Sequence, residues 1–192
     1  MAKPENKYRK LLLSDYIDNS TVKNIITQIM DINYDDDLKE KDYKDWERKP
    51  ILLFINSFGG SVYDGLALVD IIRQSTTPVY TISIGSSMSM GFWIYLAGQK
   101  RFVGENATLM FHDISTYIWD KAEGIKQEIK ELDRLQEILI KAIINTSLVK
   151  REQLQDYITR KAEWYIPADE AIQLKLADGY YKEEIDNDYI EW

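Results

Sequence analysis

Ser89 stands in the stretch Gly85-Ser-Ser-Met-Ser89-Met-Gly91, between a β-rich run that opens at Val79 and an apolar segment that closes at Gly98. Alternating side chains up to Gly85, a cluster of small hydroxyl residues and then an uninterrupted apolar segment read as strand, tight turn and helix. A serine at such a junction lies at the positive end of the new helix. The backbone N–H groups beside it have no partner within the helix and are the donors a developing oxyanion needs. Ser87-x-Ser89-x-Gly91 takes the place of the Gly-x-Ser-x-Gly nucleophile elbow of α/β-hydrolases. The same serines, Ser86, Ser87 and Ser89, would serve equally as caps of a buried helix.

Two further features have compatible chemistry. His112 is the only histidine of the chain and follows the apolar run Thr108-Leu-Met-Phe111. Gly59-Gly60 turns the chain after a second apolar run, Ile51-Leu-Leu-Phe-Ile55, and without a Cβ its N–H groups can approach a substrate. A serine hydroxyl is a weak nucleophile until a base of near-neutral pKa removes its proton, and histidine suits that task. Each feature has a plainer reading: a sharp turn or small anion site for the glycines, a structural role for the histidine.

The elements that must position these residues follow from periodicity. Residues 1–10 are polar and basic and are expected to fray. Leu11–Leu13 reads as a short strand, and Asn19 or Ser20 as N-cap of a helix from Thr21 to about Asn33. Residues 35–50 are dense in charges of both signs and read as a solvated loop. Ile51–Ile55 has the continuous apolar character of a strand buried on both faces. A helix from Val62 to Gln74 and the strand at Val79 complete two strand–helix units, which implies a parallel sheet with right-handed crossovers. Short strands are expected at 101–103 and 108–111. A long helix runs from about Asp120 to Ser147, with Ile125, Ile129, Leu132, Leu139 and Ile143 in one stripe widened by Leu135, Ile138 and Ala142. A single small domain does not readily cover such a stripe, so either a partner subunit or the chain's own sheet must. A helix at 151–159, Glu163–Ile166, a helix at 168–174 and a strand near Tyr180 close the chain.

Composition narrows the function. With 192 residues, 45% hydrophobic and 29% charged, the chain is expected to form a single α/β domain with a full core. A net charge of −8 argues against nucleic acid or an anionic membrane surface as partner. With no cysteine, disulfide and thiolate chemistry are excluded, and a cytoplasmic life is compatible. No secretory signal or membrane span is expected, and a lone histidine with no clustered carboxylates makes a metal or other cofactor unexpected.

Several segments resemble the ClpP family of self-compartmentalising serine peptidases. Phe54-Ile-Asn-Ser-Phe-Gly-Gly-Ser-Val62 is similar to the family's Tyr-Ile-Asn-Ser-Pro-Gly-Gly-Ser-Val, and Ile84–Gly91 to its Gly-x-Ala-Ala-Ser-Met-Gly. Met110-Phe-His112 is similar to Met-Ile-His, and Ala168-Asp-Glu-Ala171 with Leu176-Ala-Asp178 to the closing motifs. The resemblance spans residues 11 to about 181 at family spacing. It implies a crotonase-like α/β fold, with Ser89 as nucleophile, His112 as base, and the N–H groups of Gly60 and Met90 as oxyanion hole. It implies further that residues 120–147 form a handle joining two stacked heptameric rings, that peptides or unfolded proteins are the substrates, and that an AAA+ unfoldase is a partner. The family's third triad residue is an aspartate, and Glu163, before Trp164-Tyr165, occupies its place. Phe58 replaces a proline and Met88 a small residue. The segment before residue 11 is shorter than the family's axial loop, and residues 35–50 are longer than the corresponding link. These departures point to a divergent, phage-like or paralogous member.

The main reading is therefore a ClpP-like serine endopeptidase. An inactive structural paralogue within a mixed ring is the alternative that Glu163 favours and the intact Ser89 and His112 oppose. An acyl-CoA enzyme of crotonase type would need neither of those residues, and no basic pocket for a CoA phosphate is evident. A Ser–Lys peptidase would have no use for His112.

Overall fold

The structure, a computed structural model, describes residues 8–115, 119 and 121–182. Residues 1–7 of the segment expected to fray, and Asp120 at the expected start of the long helix, lie outside the described residues.

A mixed sheet carries the fold. Strands β1 (Lys10–Leu13), β2 (Ile51–Ser57), β3 (Val79–Met88), β4 (Lys100–Val103) and β7 (Gly179–Tyr180) lie side by side and all run parallel. β3 is ten residues long and serves two neighbours along one edge. Its first half, Tyr80–Ser83, pairs with β4, and its second half, Ser86–Met88, pairs with β5 (Thr108–Phe111), again parallel. β6 (Trp164–Pro167) adds antiparallel to the far side of β5, from Thr108↔Pro167 to Phe111↔Trp164. The strand does not end at Gly85, as its sequence suggests. Gly85, with φ +68°, bends the chain instead, and the register against β2 slips there, so that Ser57 faces Ser87. Beyond the bend the chain finds a new neighbour in β5, and pairing continues to Met88.

Helices α2 (Val62–Gln74) and α3 (Met90–Leu96) follow β2 and β3, and every residue of α3 is buried. The remaining helices are α1 (Asn19–Asp42), α4 (Ala122–Thr146), α5 (Arg151–Arg160) and α6 (Ala168–Gln173). Among the described residues no helix is long and apolar enough to cross a membrane.

α1 corrects two expectations. Its N-cap is Asp18, not Asn19 or Ser20: the Asp18 carboxylate accepts from the N–H groups of Ser20 and Thr21, both at 2.9 Å, and the Thr21 hydroxyl accepts in return from the Asp18 N–H. The helix also runs on to Asp42, so half of the expected charged loop is helical. The inward face continues Val22, Ile25, Ile29, Ile32 with Asp36, a buried carboxylate one turn further on. Arg9, placed by its composition in the frayed terminus, is 1% exposed and grips Asp36 with both terminal guanidinium nitrogens, at 2.6 and 2.8 Å. Trp46 Nε1 and the Thr77 hydroxyl also donate to Asp36, at 3.2 and 2.6 Å. Burial pushes the Asp36 carboxyl up, but these donors and the Arg9 charge more than offset it and hold it below its ordinary range. The polar pattern of 35–42 thus conceals a long-range ion pair.

On α4 the apolar stripe is divided. Leu139, Ile140 and Ile143 are buried in the chain's own core, and Leu135 is buried as well. Ile129 is 49% exposed, and Ile125 and Leu132 are only partly covered. The chain's own core thus covers the C-terminal half of the helix and leaves the N-terminal half of the stripe partly exposed.

Candidate active site

Ser89 occupies the N-cap position of α3, yet its side chain makes no cap hydrogen bond. Its backbone is at φ +52°, ψ −122°, a region that costs a non-glycine residue about 1–3 kcal/mol. The surrounding pairing enforces it. Met88 is in register with Met110, the Ser89 N–H donates to the Met110 carbonyl at 3.0 Å, and the Ser89 carbonyl accepts from Phe92 N–H at 3.0 Å. The hydroxyl, uncommitted to the helix end, lies 2.8 Å from Nε2 of His112. His112 arrives there because β5 runs alongside the second half of β3 and ends at Phe111, one residue earlier. Ser86 and Ser87 are strand residues rather than caps. The Ser87 hydroxyl donates to that of Ser83 at 2.8 Å, and the Ser86 hydroxyl and N–H both reach Asn56 Oδ1 at 3.2 Å.

The Gly59-Gly60 turn closes on this elbow. Gly59 has φ +109° and Gly60 φ +155°. A Cβ on Gly59 would lie 2.7 Å from Ser89 Cβ, and one on Gly60 would lie 2.2 Å from the Ile17 carbonyl oxygen. Neighbouring polar groups are already engaged: Ile17 N–H donates to the Gly59 carbonyl at 3.0 Å and Ser61 N–H to the Ile17 carbonyl at 2.7 Å. The Gly59 N–H donates to Ser57 Oγ at 3.1 Å, and the Ser57 hydroxyl to the Asp15 carbonyl at 2.6 Å. Among the described residues neither the Gly60 N–H nor the Met90 N–H, the first of α3, has an acceptor. Gly59, Gly60, Ser89, Met90 and His112 line one cleft, with Tyr16, Phe58, Trp93 and Leu139 on its apolar walls. Two free N–H groups, a hydroxyl and an imidazole thus converge where an acyl carbonyl could sit. Ser57 and Ile17, which hold the glycine turn, have no mark in the sequence that sets them apart from other strand-end residues.

Glu163 is placed differently. The antiparallel register of β5 and β6 ends at Phe111↔Trp164, so the next step puts Glu163 opposite His112. Its exposed carboxylate nevertheless accepts from the Tyr165 hydroxyl, a bond that raises the Tyr165 pKa above its ordinary value. Among the described residues no group is hydrogen-bonded to Nδ1 of His112. The backbone brings the glutamate to the histidine; the side chain turns away.

Comparison with known proteins identifies the family and the fold. The family model described as Clp protease matches residues 5–184. The chain is 28% identical over 173 residues to the ATP-dependent Clp protease proteolytic subunit 3 of Synechococcus sp. (strain CC9605), covering 88% of this chain and 80% of that protein. It is 31% identical over 131 residues to the ATP-dependent Clp protease proteolytic subunit of Deinococcus radiodurans, covering 67% and 63%. Among solved structures, a ClpP1 point mutant from Listeria monocytogenes superposes with a TM-score of 0.76 over 91% of each chain at 23% identity, so the fold is that of ClpP. Matched along nearly its whole length, the chain belongs to the Clp protease family and is a serine-type peptidase of the ClpP kind.

Proposed function

We propose that the chain hydrolyses peptides and unfolded polypeptides with Ser89 as nucleophile and His112 as general base. The observation that carries this reading is the 2.8 Å approach of Ser89 Oγ to His112 Nε2 at an elbow flanked by two free N–H groups. The substrate carbonyl oxygen sits between the Gly60 and Met90 N–H groups. Ser89 Oγ attacks the carbonyl carbon while His112 takes its proton, and the negative charge that develops on the oxygen is met by donors already in place. His112 then returns the proton to the leaving amine, and water repeats the sequence on the acyl-enzyme. Glu163, one register step from His112, completes the triad by turning from Tyr165 to Nδ1, where it would stabilise the imidazolium.

The same reading extends to assembly. The uncovered half of the α4 stripe, Ile125, Ile129 and Leu132, meets its equivalent in a facing ring, and two stacked heptameric rings enclose the site. The names of the relatives, ATP-dependent Clp protease proteolytic subunits, support an ATP-driven partner, which this reading takes to be an AAA+ unfoldase in the cytoplasm. The contact of Glu163 with Tyr165 favours the second reading, a weakly active or inactive ring paralogue. A fluorophosphonate probe separates the two. The active reading expects labelling that disappears in Ser89→Ala and in His112→Ala and persists in Ser86→Ala and Ser87→Ala. Absence of labelling in the assembled parent chain would establish the paralogue.

A further inference from the structure

The inward face of α4 carries one polar residue. Gln136 is 9% exposed, lies between Leu135 and Leu139, and accepts from the Ile114 N–H through Oε1 at 2.9 Å. Its amide nitrogen is buried and has no partner. An apolar side chain would pack here without that orphan, since a buried donor left unmade is costlier than no polar group at all. The position departs from the pattern of its own face, and such departures gather at functional sites.

Ile114 is two residues beyond His112. β5 ends at Phe111, so the run His112-Asp-Ile-Ser115 leaves the sheet with no strand partner. Among the described residues the bond to Gln136 is the one hydrogen bond on the main chain of 112–115. Ile114 itself lines the cleft with Ser89 and His112 and also the adjoining groove against α4 and α5. The segment that carries the imidazole is therefore held at one end by β5 and at the other by an amide of α4.

We propose that Gln136 is a positioning residue for His112: its amide oxygen, through the Ile114 N–H, fixes the segment that carries the base and ties the Ser89–His112 distance to the placement of α4. The proposal rests on the assignment of His112 as base. Loss of the tie lets the 112–115 run drift, and displacements of about an ångström at a reacting pair cost one to two orders of magnitude. Substrate binding, made chiefly by the glycine turn and by Tyr16, Phe58 and Trp93, changes little.

The test compares Gln136→Leu, Gln136→Glu and His112→Ala in the assembled protein. A fluorogenic peptide reports kcat and KM, fluorophosphonate inactivation reports the reactivity of Ser89, and melting and light scattering report the fold and the particle. Gln136→Leu is expected to lower kcat and the inactivation rate together by about tenfold or more, with KM within about twofold and unchanged particle size and melting. Gln136→Glu keeps an acceptor at the same place and is expected to recover most of that loss. An unchanged kcat in Gln136→Leu would overturn the proposal, as would an equal loss in Gln136→Glu or a loss seen only where the particle falls apart. Should His112→Ala prove fully active, the base assignment itself fails and the positioning role with it. Inactive His112→Ala beside fully active Gln136→Leu removes the positioning role alone.

Discussion

Gly59 and Ser89 stand so close that a single methyl group on Gly59 would lie 2.7 Å from the Ser89 Cβ and 3.2 Å from the Met90 nitrogen. The turn that would bind the oxyanion and the turn that carries the proposed nucleophile are thus in van der Waals contact, although 30 positions separate them in the chain.

Gly59→Ala tests that contact. The added Cβ must push on the elbow, and φ +109° is strained for alanine in any case. We expect loss of fluorophosphonate labelling together with a stability loss of about 2 kcal/mol or more, read by chemical denaturation. Retention of both labelling and stability would mean that the two turns are not in contact.

Ser89→Gly should separate stability from function. Glycine accepts φ +52° without penalty, so removing the strained serine is expected to stabilise the fold by about 1 kcal/mol, or a few degrees in melting temperature. Peptide cleavage should vanish in the same variant. A lower melting temperature would show that the serine is not strained.

Tyr165→Phe releases the Glu163 carboxylate from its present donor without touching the β5–β6 pairing. If Glu163 serves as the triad acid, kcat should rise by up to several-fold, since one net hydrogen bond is worth about 0.5–1.5 kcal/mol. Glu163→Gln should depress kcat in the parent and abolish the gain. A fall in Tyr165→Phe would instead make the phenol hydroxyl a support of the site.

Arg9 and Asp36 form a fully buried ion pair. Arg9→Met or Asp36→Leu alone leaves one charge uncompensated and should cost about 3–5 kcal/mol, whereas the two together should cost much less than the sum. The pH dependence follows from the lowered carboxyl of Asp36. Its contribution is fully present above the unfolded carboxylate pKa of about 4 and is lost as pH falls through the depressed folded value. Urea melts from pH 7 downward should show that loss in the parent and not in the double variant.

Ile129→Asp with Leu132→Asp places carboxylates on the uncovered half of α4 and should split any assembly while the protomer stays folded. Leu139→Asp, 3% exposed and part of the chain's own core, should unfold the protomer instead. Light scattering beside circular dichroism distinguishes them. A particle unchanged in size by the first pair would remove α4 from the seam.

Much of this was legible in the residues because it is local. The alternation of strand and helix, the run Val62–Gln74, the glycine pair and the serine between an extended and a helical stretch all follow from periodicity and turn chemistry over a few positions. His112 stood out as a single residue of its type. What the tertiary structure alone decided depends on partners far away in the chain. β3 passes through Gly85 because β5 waits to pair with it, and α1 passes Asn33 because Arg9, 27 positions before Asp36, buries its charge there. The 2.8 Å approach of Ser89 and His112 is a consequence of strand register, and Glu163 turns toward Tyr165 through a rotamer choice made after the backbone is placed. Local sequence sets which conformations a segment can adopt at little cost. Which of them is realised, and what each polar side chain meets, is set by long-range pairing and burial.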